Sequence, residues 1–303
     1  MAATAVAISA ADLAARAADA PLVIGSNALQ TAYTAAVANL VTNTAGDLAT
    51  GDASAAGFDR RYLQDRYKHK KWKQTAAGTT CYIVIDTGVA DGSGEVGALV
   101  VYGHNWSGQT VEVKMDSTAP PVGDAWTGAT TIADFGHVAG SALVVKLQAA
   151  DRHKARYLRI KISGASLQRE AAEIFLGRDV QFPDKPLYGS SSPYARFGSF
   201  TEVRGSGGIT TRVVNHGSLT SRFLNFVFKQ ADTGVFFTEL LDWFESVSAL
   251  YGGARDFWYV DLPTTAPAGN RTILAHLVDA KLSPSPLSPT VTRFSMEFTE
   301  QGN

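Results

Sequence analysis

Ala155-Arg-Tyr-Leu-Arg-Ile-Lys-Ile162 is the stretch that decides how this chain reads. Tyr157, Arg159 and Lys161 fall on one side of an extended segment, and Leu158, Ile160 and Ile162 fall on the other. Side chains alternate between the two faces of a strand, so this period of two predicts a β-strand with an apolar floor and a polar roof. The same texture continues upstream. Tyr82 to Asp86, Ala98 to Tyr102, Val111 to Met115 and Ala142 to Leu147 are short runs separated by glycine and proline turns. Many short strands with no helix between them indicate a β-sandwich.

The whole-chain arithmetic narrows the class. With 303 residues, two domains are the natural expectation, each large enough to bury a core. Lys and Arg number 27 against 28 Asp and Glu, a net charge of −1, which argues against a globally basic nucleic-acid binder. The one cysteine, Cys81, cannot close an intramolecular disulfide. No apolar run approaches the roughly 20 residues of a membrane-spanning helix. Met1 to Ala11 holds no Lys or Arg, so a chain made in the cytoplasm is expected. Only 18% of residues are charged, and this low density predicts surface buried between chains.

Four regions are expected. Residues 1–58 are alanine-rich and read as an N-terminal arm, with short helices over Ala10 to Ala20 and Thr31 to Leu40. Residues 59–180 form the sandwich. Residues 181–193, with Pro183, Pro186, Gly189 and a serine run, read as a linker in a stretch where few contacts cross. Residues 194–303 read as an antiparallel β-domain with one packed helix over 233–251. Thr233 can cap that helix, and Phe236, Phe237, Leu240, Leu241, Phe244, Val247 and Tyr251 recur at helical spacing.

Catalytic patterns are missing from the sequence. Gly92, Gly94 and Gly97 match a dinucleotide loop, but a strand follows where a helix N-terminus is needed, so they read as a turn. Arg204-Gly-Ser-Gly-Gly208 lacks a phosphate-loop lysine and reads as a hairpin turn. The six histidines show no metal-ligand spacing. No enzyme activity, metal or cofactor is therefore expected. Arg60, Arg61, Arg66, Lys68, His69, Lys70, Lys71 and Lys73, interleaved with Tyr62, Tyr67 and Trp72, allow two readings. One is a site for phosphate, single-stranded nucleic acid or an acidic glycan. The other is a solvated or subunit-facing rim with Trp72 buried under the sandwich, which the neutral whole-chain charge favours over nucleic acid.

Residues 60 to 177 resemble the discoidin, or coagulation-factor type C, domain, a galactose-binding-like β-sandwich. The resemblance is carried by Trp72, Tyr82-Ile-Val-Ile-Asp-Thr-Gly88, Val100-Val-Tyr-Gly-His-Asn105, Val111 to Asp116, Trp126, the 155–162 strand and Ala172-Glu-Ile-Phe-Leu-Gly177. Residues 190 to 303 resemble the tube-like β-domain of phage distal tail proteins. Here the carriers are Arg222 to Lys229, Phe236 to Phe244, Gly252 to Pro263 and Phe294 to Phe298. The second resemblance implies a structural protein of a phage tail tip or baseplate, in the virion. It would form a ring, commonly hexameric, against tail tube protein on one side and hub or fibre proteins on the other. Trp243 is the candidate ring contact, or else completes the core. The alternative is a carbohydrate-binding module for host-surface glycans, with Trp72, His104, Asn105 and Trp106 as candidates for stacking and hydrogen bonding to a sugar.

Overall fold

A computed structural model describes residues 4–7, 22–25, 55–58, 60–63, 70–86, 97–116, 130–135, 142–146, 157–182, 195–204, 210–229, 240, 244, 257–261, 271–277, 285–288 and 291–300. In these the chain is almost wholly β. The strands begin with β1 (Thr4–Ala7), β2 (Leu22–Gly25), β3 (Trp72–Lys73), β4 (Gly78–Asp86), β5 (Ala98–Tyr102) and β6 (Thr110–Asp116). Then come β7 (Thr130–Phe135), β8 (Ala142–Lys146), β9 (Tyr157–Leu167), β10 (Glu170–Ala171), β11 (Glu173–Gln181) and β12 (Ala195–Arg204). The last are β13 (Thr210–Lys229), β14 (Phe257–Asp261), β15 (Arg271–Leu277), β16 (Ser285–Ser288) and β17 (Val291–Glu300). A 3-10 turn, Arg60–Leu63, precedes β3.

The predicted sandwich is present. One sheet runs β4-β9-β6-β7, all antiparallel. Facing it are β8, β5 and β11, with β1 added parallel to β8. The apolar side of the deciding strand, Leu158, Ile160 and Ile162, meets Leu99, Val101, Leu143, Val145, Ile174 and Leu176 across the gap. Its polar side is less exposed than the alternation alone implies. Arg159 is buried, its guanidinium 2.7 Å from Glu112 and 5.6 Å from the centre of the Tyr82 ring. Pairing with a carboxylate and stacking on an aromatic face compensate the guanidinium for lost water.

The second half does not stand apart. β11 pairs with β5 through Glu173–Gly177 and with β2 through Arg178–Gln181. β2 pairs on its other side with β14, and the ladder continues through β15, β17 and β13 to β12, with β16 on β17. The result is one 11-stranded sheet that contains half of the sandwich. It curls strongly. Tyr102 on β5 and Trp258 on β14 are three strand steps apart, on the order of 14 Å in a flat sheet, yet their ring centres lie 5.1 Å apart. The curl encloses a second core of Ile24, Ala98, Val100, Val144, Phe175, Trp258, Val260 and Leu274. This is why β5 and β8 are buried on both faces.

Three expectations change accordingly. Hydrogen bonds cross at 178–181 and Phe182 is fully buried, so the start of the expected 181–193 linker belongs to the sheet. The N-terminal arm supplies two integral strands, because short apolar runs such as Leu22-Val-Ile24 complete an otherwise open ladder; its expected helices lie outside the described residues. Within 233–251 only Leu240 and Phe244 are described, both helical, with Leu240 buried. The remainder of that helix, Trp243 included, lies outside the described residues.

One glycine of the Gly92, Gly94, Gly97 pattern has a visible role. A Cβ on Gly97 would stand 2.7 Å from the backbone N of Asp179 and still nearer its carboxylate. Asp179, paired at 3.9 Å with Lys146, is packed directly on that α-carbon, so only glycine fits.

Candidate functional site

The four candidates for holding a sugar were chosen for aromatic faces and polar tips, and the structure turns three of them, Trp72, His104 and Trp106, inward. Trp72 lies on β3, where alternation sends Trp72 and Gln74 inward and Lys71 and Lys73 outward. Its indole joins the sandwich core beside Leu63 and Ala171, with about 1% of its surface exposed. Trp106 has no exposed surface and belongs to the same core. His104 is buried with its ring stacked on Trp106, centres 4.8 Å apart, and its Nδ1 accepts the Trp106 backbone N–H at 3.2 Å. Its Nε2 makes no well-aligned hydrogen bond, and burial lowers its pKa from 6.5 to about 4, partly opposed by a hydrogen bond with the Ala142 backbone. The ring is therefore neutral near pH 7.

Asn105 is committed to the backbone. Its Nδ2 donates to the Gln168 carbonyl at 3.0 Å and its Oδ1 accepts the Glu170 N–H at 3.0 Å. The 103–109 loop is thereby tied to the turn between β9 and β10. Trp72, Trp106 and His104 present no face to a ligand, because burying a large aromatic body is worth more to this small sandwich than exposing it. The same end of the sandwich holds Arg169, fully buried, whose guanidinium donates to the carbonyls of Gly78 and Thr79 and to Gln109 Oε1 at 2.8, 3.0 and 3.1 Å. It ties the turn between β9 and β10 to β4 and to the loop before β6.

What the structure does display is a ledge beside β3. The Ala55–Phe58 turn is held by Ala55 N–H to Lys73 O at 2.8 Å and Phe58 N–H to Ala55 O at 2.9 Å, with Gly57 at φ 81. It presents Phe58 with 39% of its surface exposed, the one large apolar side chain so exposed among the described residues. Lys73 Nζ stands 5.4 Å from the centre of the Phe58 ring, and Lys70 Nζ stands 5.4 Å from the centre of the half-buried Tyr62 ring. Lys71 pairs with Glu170 at 2.7 Å. Lys70, Lys71 and Lys73 of the basic cluster thus each meet an aromatic ring or a carboxylate, while Arg66, Tyr67, Lys68 and His69 lie outside the described residues. Phe58 escaped the sequence reading. The signal was Gly57 before it, a residue suited to the positive φ of a tight turn that lifts the next side chain outward.

Among the described residues no three His, Cys, Asp or Glu side chains gather as a metal site.

Comparison with known proteins gives structural likeness alone. The chain matches no protein-family model and no curated protein. Among solved structures it is similar to chitosan-binding module 1 of a Paenibacillus sp. IK-5 chitosanase/glucanase, at 15% identity and TM-score 0.34, over 45% of this chain and 98% of that one. It is similar to the CBM32-6 module produced by Clostridium perfringens at 15% identity and TM-score 0.31, over 46% of this chain and 97% of that one. A Ruminococcus gnavus GH29 fucosidase aligns at 12% identity and TM-score 0.34, over 44% of this chain and 25% of that one.

Proposed function

We propose that the chain is a non-catalytic structural subunit that assembles with copies of itself through an arm formed by β12 and β13. The carrying observation is the change of partner at Ser221. Before it, β13 pairs with β12, from Thr210↔Arg204 to Ser221↔Ala195; after it, β13 pairs with β17, from Ser221↔Thr299 to Lys229↔Val291. Among the described residues, 210–220 have no partner on the β17 side and β12 has none on its outer side. A two-stranded ribbon about 33 Å long therefore extends past the sheet. Such a ribbon is marginally stable alone, and its open edges are templates for another chain. The setting is the one the second resemblance implies, a ring in a phage tail tip or baseplate, with tail tube and hub or fibre proteins as neighbours.

Light scattering on the full chain, and on a variant in which an Asn-Gly turn replaces residues 196–220, tests this. A multimer that becomes a monomer with the same melting temperature supports it. A monomer in both cases overturns it.

A second reading, attachment to carbohydrate, is favoured by the exposed Phe58 ring beside Lys73 and is compatible with assembly of the same molecule. An aromatic ring displayed at a surface suits the C–H face of a sugar. It matches in kind the binding modules named above, although the ledge, and not the likeness, carries it. The full chain on a glycan array should give signal that Phe58→Ala abolishes; a silent array ends this reading.

A further inference from the structure

We infer that a neighbouring copy is received on the edge of β12 and not on that of β13, and this rests on the assembly reading above. The register of the ribbon carries it. From Phe200↔Val214 to Arg204↔Thr210 the two strands advance one residue for one. Closer to the sheet they do not: Phe197 pairs with Leu219, Ser199 with His216 and Phe200 with Val214. One additional residue of β13 falls at 217–218 and another at Asn215, so that 195–204 of β12 lie opposite 210–221 of β13. Both irregularities are bulges, and both belong to β13.

A bulge bends the strand that carries it, raises its twist and breaks the even spacing of its N–H and C=O groups. Bulges are one of the ways in which proteins keep an open edge from pairing. The outer side of β13 is interrupted in this way twice within 214–218. From Ser221 onward that same side is taken by β17, so a strand added along 210–220 would also have to end against β17. β12 has neither obstacle. It contributes no additional residue to the ladder, and among the described residues nothing pairs with its outer side from 195 to 204. Its sequence, Ala195-Arg-Phe-Gly-Ser-Phe-Thr-Glu-Val-Arg204, holds neither the proline nor the lysine that commonly blocks an edge.

The occupant is a strand of a second copy. Among the described residues the large sheet begins at β1 and ends at β12, so each copy carries one open edge to receive a strand and a different one to offer. Unlike edges that meet head to tail are the kind of contact that closes into a ring.

Hydrogen exchange of the full chain, read by mass spectrometry beside light scattering on the same samples, tests this. In an antiparallel ribbon successive amides point alternately toward the partner strand and away from it, so half the amides of each strand exchange freely until its outer side is covered. The expected result, on going from dilute to concentrated protein, is a multimer in which the outward amides of 200–204 slow by about tenfold or more while those of 210–214 do not change. Of Glu202→Pro and Val203→Pro, one removes an outward N–H and spares the ribbon; that variant should stay monomeric with the circular dichroism of the parent. Slowing of 210–214, alone or together with 200–204, overturns the choice of β12 and leaves assembly through the ribbon standing. A multimer in which neither strand slows, or a monomer at every concentration, overturns the inference and the assembly reading together.

Discussion

His104 shows how one residue can read as a ligand and serve as a buried wedge. Its Nδ1 accepts a backbone N–H and its ring lies against Trp106, so the proton it would take at low pH has no place to go. With the folded pKa at about 4 and the ordinary value at 6.5, the unfolded chain gains a proton across that window that the folded chain refuses. The stability from a neutral His104 is thus complete above pH 6.5, falls as pH drops, and is lost below about 4. The loss is about 3 kcal/mol. In denaturant titrations from pH 7 to 4, His104→Asn, which keeps an acceptor for the Trp106 N–H, should lose less stability than the parent. Parallel curves for the two proteins would remove His104 as the source. Trp72 and Trp106 were legible as important aromatics, but inside and outside look alike in a short strand and a loop until their packing partners are known.

At the scale of elements, strands were the most legible feature. Ala98 to Tyr102, Val111 to Met115, Tyr157 to Ile162 and Arg222 to Lys229 all fall within observed strands, since period two and β-branching are local properties. β1, β2 and β16 were not found, because four-residue runs carry too little pattern to distinguish from loop. Just beyond the ladder of β5 with β11 lies a close approach that only tertiary contact reveals, the seat of Asp179 on Gly97. Gly97→Ala should therefore destabilise the protein by about 3 kcal/mol, as overpacking against backbone does. Urea unfolding checks it, and a change under 0.5 kcal/mol, the usual size for an unconstrained surface site, would show that β11 moves aside freely.

For the whole molecule, the decisive strand is β2, which lies between β11 and β14 and makes the sandwich and the C-terminal strands share one sheet. Ile24 pairs in register with both Asp179 and Trp258 and sits in the second core. A chain starting at residue 26 should lose this bridge. Calorimetry of the parent should give one cooperative transition, and of the truncated chain two, with the sandwich melting separately because its own core is intact. A single unchanged transition in the truncated chain would show that the second core alone couples the halves.

The sequence by itself determined the strand-rich class, the sandwich, and the alternation of Tyr157 to Ile162, because these follow from side-chain period and turn chemistry within a few residues. Tertiary structure alone decided which aromatics are displayed. Trp72 and Trp106 were drawn inward where facing sheets offered them a core, and Phe58 was left outside on a turn pinned to β3. It also decided that residues 22–25 and 178–181, distant in sequence, would share a ladder. Local patterns specify which groups seek burial or pairing, whereas the partner that satisfies them is set by how the whole chain closes.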